Sequence, residues 1–208
     1  GPPMVFHPDY VTPLPRGHRF PMRKFGLLRD YLLASRIASP AQFHAPTDAP
    51  AAVEDIELAH CTEYVKVFIN QTLDPKAVRR IGLPLNPGLV RRTRTAISGT
   101  LLTTQLALTH GLACNTAGGT HHAHRGFGSG FCIFNDLAVA AVAARQRWGV
   151  GRVLILDLDV HQGDGSAAIF RDDETVYTFS MHCGKNFPLR KQPGDRDIAL
   201  DVGTADGR

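Results

Sequence analysis

No apolar run in the chain approaches the ~20 residues that a membrane-spanning helix needs, and no membrane partner is expected. Cysteine is scarce. Cys61, Cys114, Cys132 and Cys183 form no CxxC pair and no disulfide-like framework, which excludes a small disulfide-stapled fold. The segment from Gly1 to His7 lacks the basic, apolar and small-residue regions of a signal peptide. Together these features point to a reducing, cytoplasmic setting. Charge of either sign is modest, at 20% of residues with a net charge of +4. The basic residues are scattered, and Arg79-Arg80 and Arg91-Arg92 are their densest pairs. That is the pattern of solvated helix faces, so no direct nucleic-acid partner is expected. Repeats, low-complexity tracts and linkers are also missing.

What is there is an ordinary globular composition. The 208 residues are 43% hydrophobic, enough for one sizeable core. Residues 1–208 read as a single domain. Helical spacing of Phe25, Leu28, Leu32 and Leu33 predicts a helix from Met22 to Ala38. Loops are expected at Val11 to His18 and Ala45 to Pro50, and a short helix at Tyr64 to Ile69. Arg91 to His110 predicts a long helix with Ile97, Leu101, Leu102, Gln105 and Leu108 on one side. Asn135 to Trp148 predicts another, capped by Asn135 and stopped by Gly149, with an Ala-rich run suited to close packing on a sheet. Val153 to Leu156 reads as a strand buried on both faces, and Thr175 to Ser180 as a second strand. The alternation predicts an α/β fold, doubly wound, with its site at the carboxyl ends of the strands.

Chemistry concentrates in two segments. Asp157 and Asp159 follow the apolar strand without a gap, and His161 comes two residues later. Two carboxylates there are costly unless paired or bound to a metal. If the strand persists, its period of two puts all three on one side. Carboxylate and imidazole without thiolate suit Zn²⁺, Fe²⁺ or Mn²⁺, and the residue types do not choose among them. His121 and His122 follow two glycines, where a loop can turn both into one cleft. His124 reads as a surface group; His7, His18, His44, His60 and His110 read as surface or internally satisfied groups. Cys132, between Phe131 and Ile133, reads as a buried, inert thiol.

The stretches GGTHHAHRGFGSGFCIFNDLAVAA (Gly118 to Ala141), VLILDLDVHQGDG (Val153 to Gly165) and TFSMHCGKNFP (Thr178 to Pro188) resemble the histone deacetylase family, of the arginase-deacetylase fold. Asp-Val-His-Gln-Gly resembles the class IV type and its bacterial relatives. The resemblance implies a three-layer αβα architecture with a mostly parallel central sheet. It also implies hydrolysis of acetyl or longer acyl groups from lysine, with an acylated lysine peptide or acylated amine as substrate. Asp159 and His161 resemble two of the family's three zinc ligands. His121 and His122 resemble its tandem catalytic histidines, and Asp157 and Asp164 the carboxylates that orient them. Gly130, Phe131 and Phe187 resemble the acyl-lysine tunnel, and Asp157, Asp159, His161, Ser180 and Met181 a structural K⁺ site. The family's third zinc ligand and its catalytic Tyr have no counterpart here; Asp195, Asp197 and Asp201 stand in the wrong context. The chain therefore reads as the N-terminal portion of a deacetylase domain, completed by an oligomer or a complementing C-terminal segment. A polyamine or small-molecule deacetylase and a non-catalytic domain of the same fold that binds acylated ligands or partner proteins are the other readings.

Overall fold

The computed structural model describes residues 1–47 and 49–206. Strand β1 (Met4–Val5) lies between β2 (Phe43–His44) and β3 (Cys114–Asn115) in a short parallel sheet. A second parallel sheet has β5 (Val176–Cys183) between β4 (Val153–Asp157) and β6 (Arg196–Leu200). Helices α1 (Lys24–Ala34), α2 (Val53–Glu57), α3 (Thr62–Ile69), α4 (Pro75–Ile81), α5 (Pro87–His110), α6 (Asp136–Trp148) and α7 (Asp164–Phe170) pack around them. Parallel strands joined through helices are the expected architecture, with the strands divided between two sheets. No helix among the described residues is long and apolar enough to cross a membrane.

Helix α5 begins at Pro87 rather than at Arg91. Asn86 accepts the Leu89 N–H at 2.9 Å and Pro87 occupies the first turn, where its missing N–H costs nothing. Gly111 ends it in the left-handed region, at φ 82°. Leu89, Ala96 and Ile97 are buried, while Leu108 is exposed. Gly99 admits the Tyr10 ring, whose Oη would lie 1.7 Å from any Cβ there. The Ala-rich face of α6 packs chiefly on α5, not on a sheet. Around this contact lies the core, with Val5, Tyr10, Phe68, Ile97, Phe134 and Val139.

Helix α1 is shorter than its apolar spacing suggests. Ile37 N–H bonds Leu32 O and Arg36 N–H bonds Leu33 O, a Schellman stop with Arg36 at φ 55°. An arginine in the place usually given to glycine left no mark in the pattern. Leu28 is exposed and Phe25 carries the burial. The loop around Ala45 to Pro50 is as expected, apart from Asp48, which lies outside the described residues. Strand β4 is also corrected. Ile155 is buried, but Leu154 and Leu156 are 59% and 58% exposed, because no described element covers that side. Leu154 pairs with Tyr177, also exposed, so β4 and β5 share one bare apolar face. Contiguous apolar surface of this kind drives association. Leu154→Thr with Leu156→Thr is expected to reduce self-association in light scattering with little change in Tm. Unchanged association would place the contact elsewhere.

His60 is internally satisfied, and it braces the site from behind. It is 2% exposed. Its Nε2 accepts the Asn135 N–H at 2.8 Å, which leaves Nδ1–H to donate to Arg125 O at 3.3 Å. Asn135 caps α6 through Ala138 and also donates to Ala123 O and to Ser166 Oγ. One neutral imidazole therefore anchors the segment that carries His121 and His122. Burial pushes the His60 pKa down from 6.5 to about 4. As pH falls, the unfolded chain takes up this proton before the folded one does. The contribution is fully present above the unfolded value and is lost as pH falls toward 4, amounting to on the order of 3 kcal/mol. The slope of Tm between pH 6.5 and 4 is expected to flatten in His60→Gln. An unchanged slope would remove His60 from that role.

Candidate active site

Two loops meet at the carboxyl end of β4. The first is folded by Asp136, which is buried at the head of α6. Its carboxylate accepts the Gly119 N–H (3.1 Å), the Thr120 N–H (2.7 Å), the Thr100 hydroxyl (2.6 Å) and the Thr120 hydroxyl. A Cβ on Gly118, at φ 95°, would lie 2.4 Å from Asp136 Oδ2. Glycine there lets the loop close on its anchor. In sequence Asp136 reads only as a charge suited to the helix dipole, because its loop partners are remote along the chain.

The loop delivers two buried imidazoles with ring centres 4.1 Å apart. His121 Nδ1 meets Asp157 Oδ2 at 2.5 Å, and His122 Nδ1 meets Asp164 Oδ1 at 2.7 Å. Both pairs are those that the family resemblance implies. Each carboxylate holds an Nδ1 proton, which leaves each Nε2 as the working atom. The second loop supplies both acids. Glycines make the approach: a Cβ on Gly163 would sit 2.3 Å from Asp157 Oδ2, and one on Gly165 would sit 2.3 Å from Ala123 O.

The strand does not persist past Asp157. Asp159 and His161 reach the same side through turns: Asp157 Oδ1 accepts the Asp159 N–H at 3.0 Å, and Asp159 Oδ1 accepts the His161 N–H at 2.7 Å. Asp159 Oδ1 also lies 2.8 Å from His161 Nδ1 and 4.0 Å from His121 Nε2. A carboxylate and an imidazole converging on one point fit a divalent ion of zinc type. They supply two donors, and no group of three His, Cys, Asp or Glu able to hold a metal occurs among the described residues. Asp195 is engaged by the Thr178 N–H and hydroxyl, and Asp197 by Gln162 and the Gly194 N–H. The register sets Asp157 beside Ser180, so Ser180 and Met181, within β5, lie next to the end of β4.

His121, His122, Asp159, His161, Gly130, Phe131 and Phe187 line one cavity of about 520 Å³. Phe187 stands edge-on to His122, with centroids 4.8 Å apart at 89°. Gly130 makes room for both, since a Cβ would lie 2.8 Å from His122 and 2.9 Å from Phe187. Phe131 is held at φ 66°, its N–H bonded to Ile81 O and its ring against Gly82 at the end of α4. His18 braces the same wall through Gly82 O.

The two histidines are pushed apart electrically. Burial is the largest influence on His121 and lowers its pKa, but the Asp157 hydrogen bond and the charges of Asp157, Asp159 and Asp164 outweigh it. Its pKa ends above the ordinary value. Burial also dominates at His122, aided by the charges of His121 and His161, and there Asp164 does not restore it. His122 ends below the ordinary value. Burial lifts the Cys132 thiol to about 12, in keeping with an inert group.

His124 is not a surface group. Its Nε2 lies 3.2 Å from Asp164 Oδ2, and its ring stacks on Phe127 at 4.3 Å. Asp164 is thus shared by two imidazoles. The close turn between His124 and Phe127, an isolated β-bridge, returns the ring inward, and nothing in the local pattern marks it.

Residues 18–205 match the histone deacetylase domain model. A protein of Picosynechococcus sp. is 58% identical over 204 residues, which is 98% of this chain and 67% of that protein. Mouse polyamine deacetylase HDAC10 is 37% identical over 142 residues, covering 64% of this chain and 21% of its own length. Staphylococcus aureus acetoin utilization protein AcuC is 30% identical over 175 residues, covering 79% of this chain and 44% of its own length. The crystal structure of a histone deacetylase homologue from Aquifex aeolicus superimposes with a TM-score of 0.77 at 22% identity, covering 96% of this chain and 59% of that one. A homologue complexed with SAHA gives a TM-score of 0.79 with the same identity, covering 97% of this chain and 59% of that one. With the match spanning nearly its whole length, the chain belongs to the histone deacetylase family.

Proposed function

We propose that the chain carries the proton-transfer machinery and two metal ligands of a zinc-dependent deacylase acting on acylated lysine or a related acylated amine. The observation that carries this reading is the pair of Asp-held imidazoles, with pKa values driven in opposite directions, on the wall of one cavity. His122 enters neutral and accepts the proton of the attacking water at Nε2. Asp164 steadies the imidazolium that results, and the same atom returns the proton to the departing amine. His121, its pKa held above the ordinary value by Asp157, places a proton-bearing ring near the developing oxyanion. Phe131 and Phe187 flank the substrate stem, whose four methylenes contribute at most ~3 kcal/mol by burial.

Asp159 and His161 would hold the zinc, which supplies a Lewis acid for the amide carbonyl when bound. A catalytic zinc normally keeps three protein ligands, so this reading requires one more from a segment or partner beyond the described residues. Asp157, Asp159, His161, Ser180 and Met181 would hold a structural K⁺.

The similarity to HDAC10 raises a polyamine as the alternative substrate. The cavity argues against it. Arg19, Lys24, Arg79, Arg80 and Arg92 line it against a single carboxylate, Asp159. A polycation would be repelled there.

Residues 1–208 alone are expected to bind substoichiometric zinc and to leave an acetyl-lysine peptide uncut. Stoichiometric zinc with ordinary turnover would demand a third ligand within this chain. In the complete protein, with its third metal ligand supplied, His122→Ala should lower kcat by ~10²–10⁴ with metal retained. Asp159→Ala and His161→Ala should lose the metal in elemental analysis. His124→Ala should keep the metal and lose about tenfold in rate, as expected for removing one partner of Asp164. Metal loss from His122→Ala, or retention in Asp159→Ala, would overturn the assignment.

A further inference from the structure

Arg92 is a buried cation without a paired anion. It is 4% exposed. Its Nε donates to Tyr10 O at 3.3 Å, and its guanidinium lies 4.9 Å from the Phe25 ring centre. No other hydrogen bond and no ion pair of Arg92 occurs among the described residues. Asp136 influences it at longer range, but that carboxylate already takes four donors. A guanidinium stays charged even when buried, and buried charges are normally paired. Arg92 lines the same cavity as Gly118, Gly119 and His121. At Gly119 the wall is open, since an added Cβ would meet nothing within 4 Å. Arg80, over Phe127, and Arg19, over Phe131, line the cavity as well. These cations favour the entry of an anion.

We propose that Arg92 is the cation of a carboxylate-binding subsite in this cavity, and that the acyl group removed is of the dicarboxylic type, such as succinyl or glutaryl. The assignment of an acyl group rests on the deacylase reading above. The carboxylate of the acyl chain pairs with the free guanidinium nitrogens, a charge-assisted contact that can be bidentate. The scissile amide then lies toward His121 and His122.

The subsite is tested first without metal or turnover. Succinate is titrated into the full metal-free chain while the Gly118, Gly119 and Thr120 amides are followed by NMR, with sodium chloride at matched ionic strength as control. Saturable shifts are expected in the wild type. Affinity should weaken by about tenfold or more in Arg92→Gln and less in Arg92→Lys, which keeps the charge. Melting of each variant checks the fold, and if Arg92→Gln does not fold, the comparison of wild type with Arg92→Lys decides. No saturable succinate binding, or equal binding in a folded Arg92→Gln, overturns the subsite. The zinc-loaded protein, complete with the segment or partner that supplies its third metal ligand, is then given succinyl-lysine and acetyl-lysine peptides. Preference for succinyl, abolished by Arg92→Gln, supports the substrate class, and equal rates overturn it. Hydrolysis of neither sinks the deacylase reading and leaves the succinate result standing.

Discussion

Everything at this site depends on holding two imidazoles by their Nδ1 atoms. A histidine side chain alone has rotational freedom and two equivalent-looking nitrogens. A buried carboxylate at one nitrogen fixes ring, tautomer and direction together. The chain does this twice, with Asp157 at the end of β4 and Asp164 at the start of α7. The parallel sheet is what makes this economical. Its carboxyl edge brings strand end, turn and helix start within a few residues, so both acids come from one segment.

Two similar dyads have opposite electrical outcomes, and the reason is neighbourhood rather than chemistry. His121 has Asp157 in contact and Asp159 nearby, so several carboxylates act against its burial. At His122 burial weighs most, and with the charges of His121 and His161 it outweighs the one close acid, Asp164. Mutual repulsion of adjacent imidazoles lets only one of them be readily charged.

Legibility in the sequence followed the range of the interaction. Helix α6 was readable end to end because Asn135, Asp136 and Gly149 act within a turn of the ends. The start of α5 at Pro87 was equally local, yet Asn86-Pro87 lay among other breakers and did not stand out. Helix α4 carries Asp74, Pro75 and Gly82 as plain signals, but its short core-facing pattern hid it. The two His–Asp pairings were legible through family resemblance, not through spacing, because His121 and Asp157 are far apart in the chain. The turn that reverses His124, the anchoring of Gly118 to Thr120 by Asp136, and the missing partner of Arg92 were not legible at all. Each depends on which remote groups meet, and composition does not carry that. The bare side of β4 misled for the opposite reason: an apolar run records what a residue is suited to meet, not what covers it in a given chain.

The glycines explain why the two chemical segments are as dense as they are. Gly118 lies against Asp136, Gly130 against His122 and Phe187, Gly163 against Asp157, and Gly165 against the backbone of His121 and Ala123. In each case an added Cβ would come closer than real Cβ atoms tolerate, and at Gly165 the obstacle is backbone that cannot swing aside. Removing the side chain is the only way to bring two loops close enough for hydrogen bonds near 2.5–2.7 Å at both dyads. The glycines flanking His121-His122 and Asp157-Asp164 are thus part of the geometry of the two dyads, although none of them touches a proton. That contact requirement ties the spacing of the motif to its chemistry.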